Sequence, residues 1–339
     1  MYSSDTQGRF IMANPKVKRQ KRKKPEVKVP EPKLNMEMLT WEEMTWVNIE
    51  GPTTKETDYL SENYGFHPLD LDDCLSRIQR PKIDEYPDYL FMVFHFPVFN
   101  KEARVTTPSQ VSVFIGRDYL ITLHKGDLKP LVKLFRECQL DEEARRENLG
   151  GGSGQLLHQI IDRLVDYCLP ILNKIGGNIE RVEDVIFAQN IKPQAIREIS
   201  ILRRDVISFR RIIWPLRAVV ASLKSRVSRF TKTDMGPYFD DMVDHIDKIW
   251  DGLDEYKEII EGLNDTHDSL ATNRTNEVVR MLTVIATIML PITVVASIFG
   301  MNIPLGPFGN SSLSPLYVTL ICLFIIVGML YFFRRQHWI

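Results

Sequence analysis

Between Met281 and Phe333 the chain carries no charged residue, and this limits what it can fold into more than any other feature. The stretch divides into Met281–Phe299 (MLTVIATIMLPITVVASIF), 19 residues, and Leu316–Phe333 (LYVTLICLFIIVGMLYFF), 18 residues. As helices these measure about 28 Å and about 27 Å, close to the ~30 Å hydrocarbon layer of a bilayer. The segment between them, 300–315, reads GMNIPLGPFGNSSLSP, and its Gly, Pro, Asn and Ser predict a short exposed loop. Arg274 and Arg280 precede the first span, Arg334 and Arg335 follow the second, and the loop has no Lys or Arg. Positive flanks favour the cytosol, so the expected unit is a transmembrane hairpin over 276–339 in the cell membrane, with both termini cytoplasmic.

The two spans differ in kind. The second is almost wholly apolar and suits lipid. In the first, Asn276, Val279, Thr283, Ala286, Leu290, Thr293 and Ser297 recur at spacings of three and four, which places them along one helical face. Close helix packing through small residues is one reading of that face. A pore lining is the other, and a single hairpin encloses no pore, so it requires a ring of identical chains.

The rest of the chain is charged but balanced, 43 basic against 44 acidic residues, with no bias toward nucleic acid. Residues 1–35 form a basic tail rich in Lys and Pro, expected to be disordered and attracted to anionic lipid. Cys74, Cys138, Cys168 and Cys322 show no paired spacing, which argues against a zinc ribbon or disulfide framework. The histidines form no HExxH, and no nucleophile–base set is visible, so the chain is not expected to be an enzyme. Gly150–Gly154 lacks the lysine of a phosphate loop and reads as a flexible connector.

Residues 36–150 alternate strand-like and helical patterns, with strands expected at 44–50, 89–99, 109–116 and 118–124 and a helix at 64–76 entered through His67-Pro68. This predicts a mixed α/β cytosolic domain. Over 151–275 the chain turns helical, with long helices expected at Gln155–Ala188 and Pro193–Ser228. The second repeats basic residues every seven positions at Arg203, Arg210, Arg217 and Lys224, and again at Arg197, Arg204 and Arg211. Asp240, Asp244, Asp247, Asp251, Asp254, Glu258, Glu261, Asp265 and Asp268 then alternate spacings of four and three beside an apolar seam. One helix is expected from Tyr238 to Asn302, roughly 100 Å long. Its acidic stripe either neutralises the preceding basic stripe or gathers cations by its field, and the two can coexist.

FGMNIP at the outer end of the first span resembles the hallmark of the CorA-type divalent metal-ion transporters. It arrives with TNEVVRMLTVIATIMLPITVVASIFGMN, YGFHPLDLDDCLSRIQRPKIDEY, IIWPLR, PYFDDMVDH and a terminal RRQHWI, each similar to a family segment and in the family's order, over roughly Trp41 to Ile339. The resemblance implies a funnel-shaped homopentamer: an α+β cytosolic domain, a long helical stalk and two C-terminal transmembrane helices, the first lining the pore. It implies a selectivity motif at Gly300, Met301 and Asn302, and adds Leu282 to the pore face. It implies transport of Mg2+, with Co2+ and Ni2+ as further substrates, and closure by cytosolic Mg2+ bridging neighbouring subunits. Asp241 matches the family's regulatory carboxylate. Its partner position falls at or near Asn100, which is no acid, leaving Asp240, Asp244 or Glu102 to substitute. The acid-free loop 303–315 departs from some relatives and keeps open a Zn2+ transporter, proton-coupled or not. A non-transporting membrane sensor or scaffold is the third reading.

Overall fold

The computed structural model describes residues 34–76, 79–188, 193–231, 233–301 and 314–338. The basic tail, Asn302 and the loop to Leu313 lie outside them.

The chain opens with strands β1 (Met36–Trp41) and β2 (Met44–Glu50), then helices α1 (Thr54–Tyr64) and α2 (Pro68–Leu75). Thr53 and Glu56 form a reciprocal capping box at the start of α1, the Glu56 carboxylate accepting from Thr53 N at 2.9 Å. Pro68 sits at the first turn of α2, where a missing N–H costs nothing, and His67 Nδ1 accepts from Leu69 N. Four strands follow: β3 (Lys82–Glu85), β4 (Leu90–Asn100), β5 (Val105–Ile115) and β6 (Tyr119–His124). They complete a sheet ordered β1-β2-β6-β5-β4-β3 in which only β2 and β6 run parallel.

Both faces of this sheet are covered, which is why β4 reads as an almost unbroken apolar run rather than an alternation. Leu90, Met92, Phe94 and Phe96 enter one core, and Phe91 and Val93 enter the other with α1 and α2. Pro97 and Pro108 face each other across β4 and β5, beyond the residues that pair with β3 and β6. There the outer edges have no ladder to lose, so proline is tolerated.

Helices α3 (Lys129–Leu140), α4 (Glu142–Leu149), α5 (Ser153–Asp166), α6 (Cys168–Phe187) and α7 (Pro193–Arg226) build the larger core with a 3-10 turn at Val227–Phe230. The helix expected over Gln155–Ala188 is two helices, broken at Tyr167. Pro170 has no N–H for the Asp166 carbonyl and its ring crowds that turn. The glycine-rich segment is also not the open connector its composition suggests. Ser153 and Gly154 are buried, Ser153 Oγ donates to Gly116 O at 2.6 Å, and a side chain at Gly154 would collide with Thr231 and Val227.

Helix α8 (Gly236–Gly300) has 65 residues, and α9 (Ser314–Arg335) has 22. At 1.5 Å per residue α8 is about 98 Å long. Its apolar seam packs on α5, α6 and α7 through Phe239, Met242, Ile246, Ile249, Leu253, Ile260 and Leu263. Gly176 of α6 lies against the Tyr256 ring with no room for a Cβ.

A buried polar chain crosses the β2–β6 pair. Trp46 Nε1 donates to Thr122 Oγ1 at 3.1 Å, and Thr122 Oγ1 donates to Asn48 Oδ1 at 2.7 Å. His124 Nε2 lies 3.0 Å from Asn48 Oδ1, while Nδ1 accepts from Gly126 N at 2.9 Å. That pattern fits the neutral ring, and burial pushes the His124 pKa down from 6.5 to about 4. Unfolding lets the ring take a proton at its ordinary value. The stabilisation is therefore complete above about pH 6.5 and lost as pH falls toward 4, by at most about 1.4 kcal/mol per pH unit. The thermal midpoint of the detergent-solubilised chain is expected to drop between pH 7 and pH 5, and His124→Gln should flatten that slope. An unchanged slope would place the acid sensitivity elsewhere.

Candidate ion pathway and its acidic stalk

Only 6% of the apolar window of either α8 or α9 is buried within the chain. Core helices of a soluble protein would be mostly covered, so these two need an apolar solvent. What coverage α8 does receive falls on one stripe. Within the span Val284 is buried, Thr287, Ile288, Pro291, Ile292, Val295 and Phe299 are half-buried, and α9 is the element packed there. Asn276, Val279, Leu282, Thr283, Ala286, Leu290, Thr293 and Ser297 are all exposed. At 100° per residue the middles of the two stripes stand roughly 160° apart. Thus α9 covers the apolar back of α8 and leaves the polar-dotted face bare.

The threonines on that helix are satisfied by their own backbone. Thr283 Oγ1 donates to Val279 O at 2.8 Å and Thr293 Oγ1 to Met289 O at 2.8 Å, bonds that let hydroxyls sit in a span without another partner. With each hydrogen turned inward, the oxygen lone pairs face out as acceptors. Acceptors are what the outward-pointing protons of a cation's hydration water need. Helix α8 ends at Gly300, and Met301 turns to extended backbone with its N–H on Ile298 O at 3.3 Å.

Below the membrane, α7 runs antiparallel to α8 in a heptad register. Arg210 reaches Asp254 at 2.6 Å, Arg217 chelates Asp247 with Nε and Nη2, and Lys224 reaches Asp240 at 2.5 Å. Each step of seven along α7 is answered by seven back along α8. The Arg210 guanidinium also lies 4.4 Å over the Trp250 ring. Arg217 holds the Asp247 carboxyl below its usual range. The register loosens at Glu261, which pairs with Lys257 at 3.7 Å instead of with Arg203. The stripe therefore divides. One line is neutralised by α7, while Asp244, Asp251, Glu258 and Asp265 are exposed and have no cationic partner among the described residues.

Of the regulatory candidates, Asp240 is occupied by Lys224. Asp241 is exposed and faces a different group. His245 Nε2 lies 3.8 Å from Asp241, and His245 Nδ1 lies 3.8 Å from Asp166 on α5. Asp162, one turn earlier on α5, has its pKa raised by burial and by Asp166. Asp162, Asp166, Asp241 and His245 thus gather where α5 meets α8. The i, i+4 pairs Asp162/Asp166 and Asp241/His245 are visible in the sequence, but nothing there says that the two helices touch.

Asn100 and Glu102 are elsewhere, at the tip of the β4–β5 hairpin. Asn100 Oδ1 accepts from Glu102 N at 2.9 Å and Ala103 N at 3.0 Å, closing that turn. The tip is fixed to the N-terminal part of α7 by Arg104 with Glu198 at 2.6 Å and by Arg204 donating to Ala103 O at 2.9 Å. From Arg204 to Lys224 the helix rises about 30 Å. One chain therefore does not bring Asn100 or Glu102 to Asp240, Asp241 or Asp244. Three other acids, Asp70, Asp73 and Asp84, converge within 4.8 Å beside α2. Lys82 Nζ sits 2.6 Å from Asp73 and 2.5 Å from Asp84, so a metal cation there competes with an ammonium.

Comparison with known proteins agrees with this architecture. Residues 41–335 match the family described as CorA-like Mg2+ transporter protein. The cobalt/magnesium transport protein CorA of Thermotoga maritima is 32% identical over 300 residues, covering 86% of this chain and 83% of that protein. The zinc transport protein ZntB of Pectobacterium carotovorum is 21% identical over 260 residues, covering 77% of each. In fold, the CorA magnesium transporter from Methanocaldococcus jannaschii superposes with a TM-score of 0.79 at 24% identity, over 89% of this chain and 94% of that one. The family match and the Thermotoga relative together make this chain a member of the CorA-like Mg2+ transporter protein family, the membrane transporters of divalent cations.

Proposed function

We propose that the chain is a passive, channel-like transporter for Mg2+ uptake, with Co2+ and Ni2+ as further substrates, built as a homopentamer in the cell membrane with both termini cytoplasmic. The observation that carries this reading is the bare acceptor-lined face of α8 opposite the α9 stripe. Five such faces around an axis would enclose a wet passage with α9 on the lipid side. Mg2+ keeps its hydration water tenaciously, so hydroxyl and amide oxygens that bind the water shell suit it better than carboxylates. Val279, Leu282 and Leu290 supply apolar collars that close by dewetting. The unneutralised line Asp244, Asp251, Glu258 and Asp265 would raise the cation concentration at the inner mouth. We assign the sensing of internal Mg2+ to Asp241 with Asp162 and Asp166.

The test is divalent flux into proteoliposomes under an imposed membrane potential, with internal Mg2+ varied. Mg2+ uptake should fall as internal Mg2+ rises, and Asp241→Asn should shift that inhibition to higher Mg2+. Inhibition unchanged in Asp241→Asn and in Asp162→Asn would move the sensor elsewhere. The likeness to a zinc transport protein supports a second reading, Zn2+ transport. Preference for Zn2+ over Mg2+, with flux following an imposed pH gradient, would favour it. The spans 281–299 and 316–333 carry no Asp, Glu, His, Lys or Arg to serve a proton relay. Vesicles tight to every divalent ion under all conditions would leave the sensor or scaffold.

A further inference from the structure

A crevice of about 560 Å³ opens between α8 and α9 at the cytosolic end of the hairpin. Met281, Val284 and Leu330 wall it, Trp338 closes one side, and Glu277 and Arg280 stand at its mouth. The chain turns back after α9, with Trp338 N donating to Phe333 O at 3.0 Å and the Trp338 ring 5.7 Å from the Phe333 ring, which holds the indole at this level. In the residues that flank the two spans the charge is one-sided. Arg274, Arg280, Arg334 and Arg335 stand against the single acid Glu277, and none of the five forms an ion pair among the described residues.

We propose that this crevice binds an anionic phospholipid of the inner leaflet, with its phosphate on Arg280 and one acyl chain against Met281, Val284 and Leu330. Three features select that occupant. The walls are apolar and lie inside the membrane-spanning stretch, where the solvent is acyl chain. The mouth is cationic and sits where phosphates lie, and an indole occupies the same interfacial layer, as tryptophans do. The crevice belongs to the α9 side of α8, away from the bare polar stripe, so it faces lipid and not the ring's axis. The inference rests on the membrane hairpin and holds whichever ion is carried.

Native mass spectrometry of the delipidated full chain, titrated with phosphatidylglycerol or phosphatidylcholine, tests it. One tightly held phosphatidylglycerol per chain is expected, with phosphatidylcholine weaker. Arg280→Gln should weaken phosphatidylglycerol about fivefold and leave phosphatidylcholine unmoved. Arg280→Lys, which keeps the charge, should bind like the wild type and shows whether any loss comes from misfolding. Equal retention of the two lipids, or an unaffected Arg280→Gln, overturns the proposal.

Discussion

Asn302→Ala is expected to reduce divalent flux to the level of protein-free vesicles while leaving the oligomer intact. Helix α8 stops at Gly300 and the backbone is already extended at Met301; Asn302 is the next residue in the sequence and the polar member of the motif that the family resemblance marks for selectivity. In the proposed ring of five, the amides would offer carbonyl oxygens to the hydration shell of an arriving ion without stripping it. The loop to Pro315 contains no acid to compensate. Alanine removes both lone pairs and both donors and changes little else. Asn302→Asp is the informative companion: a carboxylate ring should bind the ion more tightly and slow its release. Uptake by Asn302→Ala equal to that of the wild type would remove the amide from the selectivity mechanism.

The second large effect lies in the body. Trp46 is fully buried, stands edge-on to Phe135 with ring centroids 4.9 Å apart, and donates to Thr122. It joins the sheet to α3 and anchors the polar chain through Asn48 and His124. Trp46→Ala deletes the largest buried side chain on that face and should cost about 3–5 kcal/mol, a major part of the ~5–15 kcal/mol that domains possess. The thermal midpoint should fall by roughly 10 °C. Trp46→Phe keeps most of the volume, and Thr122 retains Asn48 as a partner, so its loss should be much smaller. A midpoint for Trp46→Ala within a degree or two of wild type would mean that the site collapses around the gap.

The elements whose residues repeat with a strong period were legible from sequence alone. Strand β2 occupies the expected 44–50, and the single helix from stalk to membrane follows the uninterrupted series of acids and an apolar seam broken only at His267. Weakly patterned elements were not legible. Strand β1 is an edge strand with a charge at Glu37, β3 is only four residues long, and EEARRENL in α4 has no apolar stripe beyond Leu149. The pairing of α7 with α8 was legible as an alternative, because two seven-residue repeats of opposite charge invite an antiparallel register. The neighbours of Asp241 were not. That cluster exists because Pro170 ends α5 and the sheet sets where it lies against α8, and such tertiary placement leaves no local trace.

Cysteine accessibility at two adjacent positions tests the central claim most directly. In a Cys322→Ala background, Thr283→Cys and Val284→Cys place a thiol on the bare stripe and on the α9-covered stripe. A water-soluble cationic methanethiosulfonate applied from the cytosolic side to the reconstituted protein should modify Thr283→Cys rapidly and block flux. Val284→Cys should remain inert. Equal rates at the two sites, or faster reaction at Val284, would mean that the polar face of α8 does not line a passage filled with water.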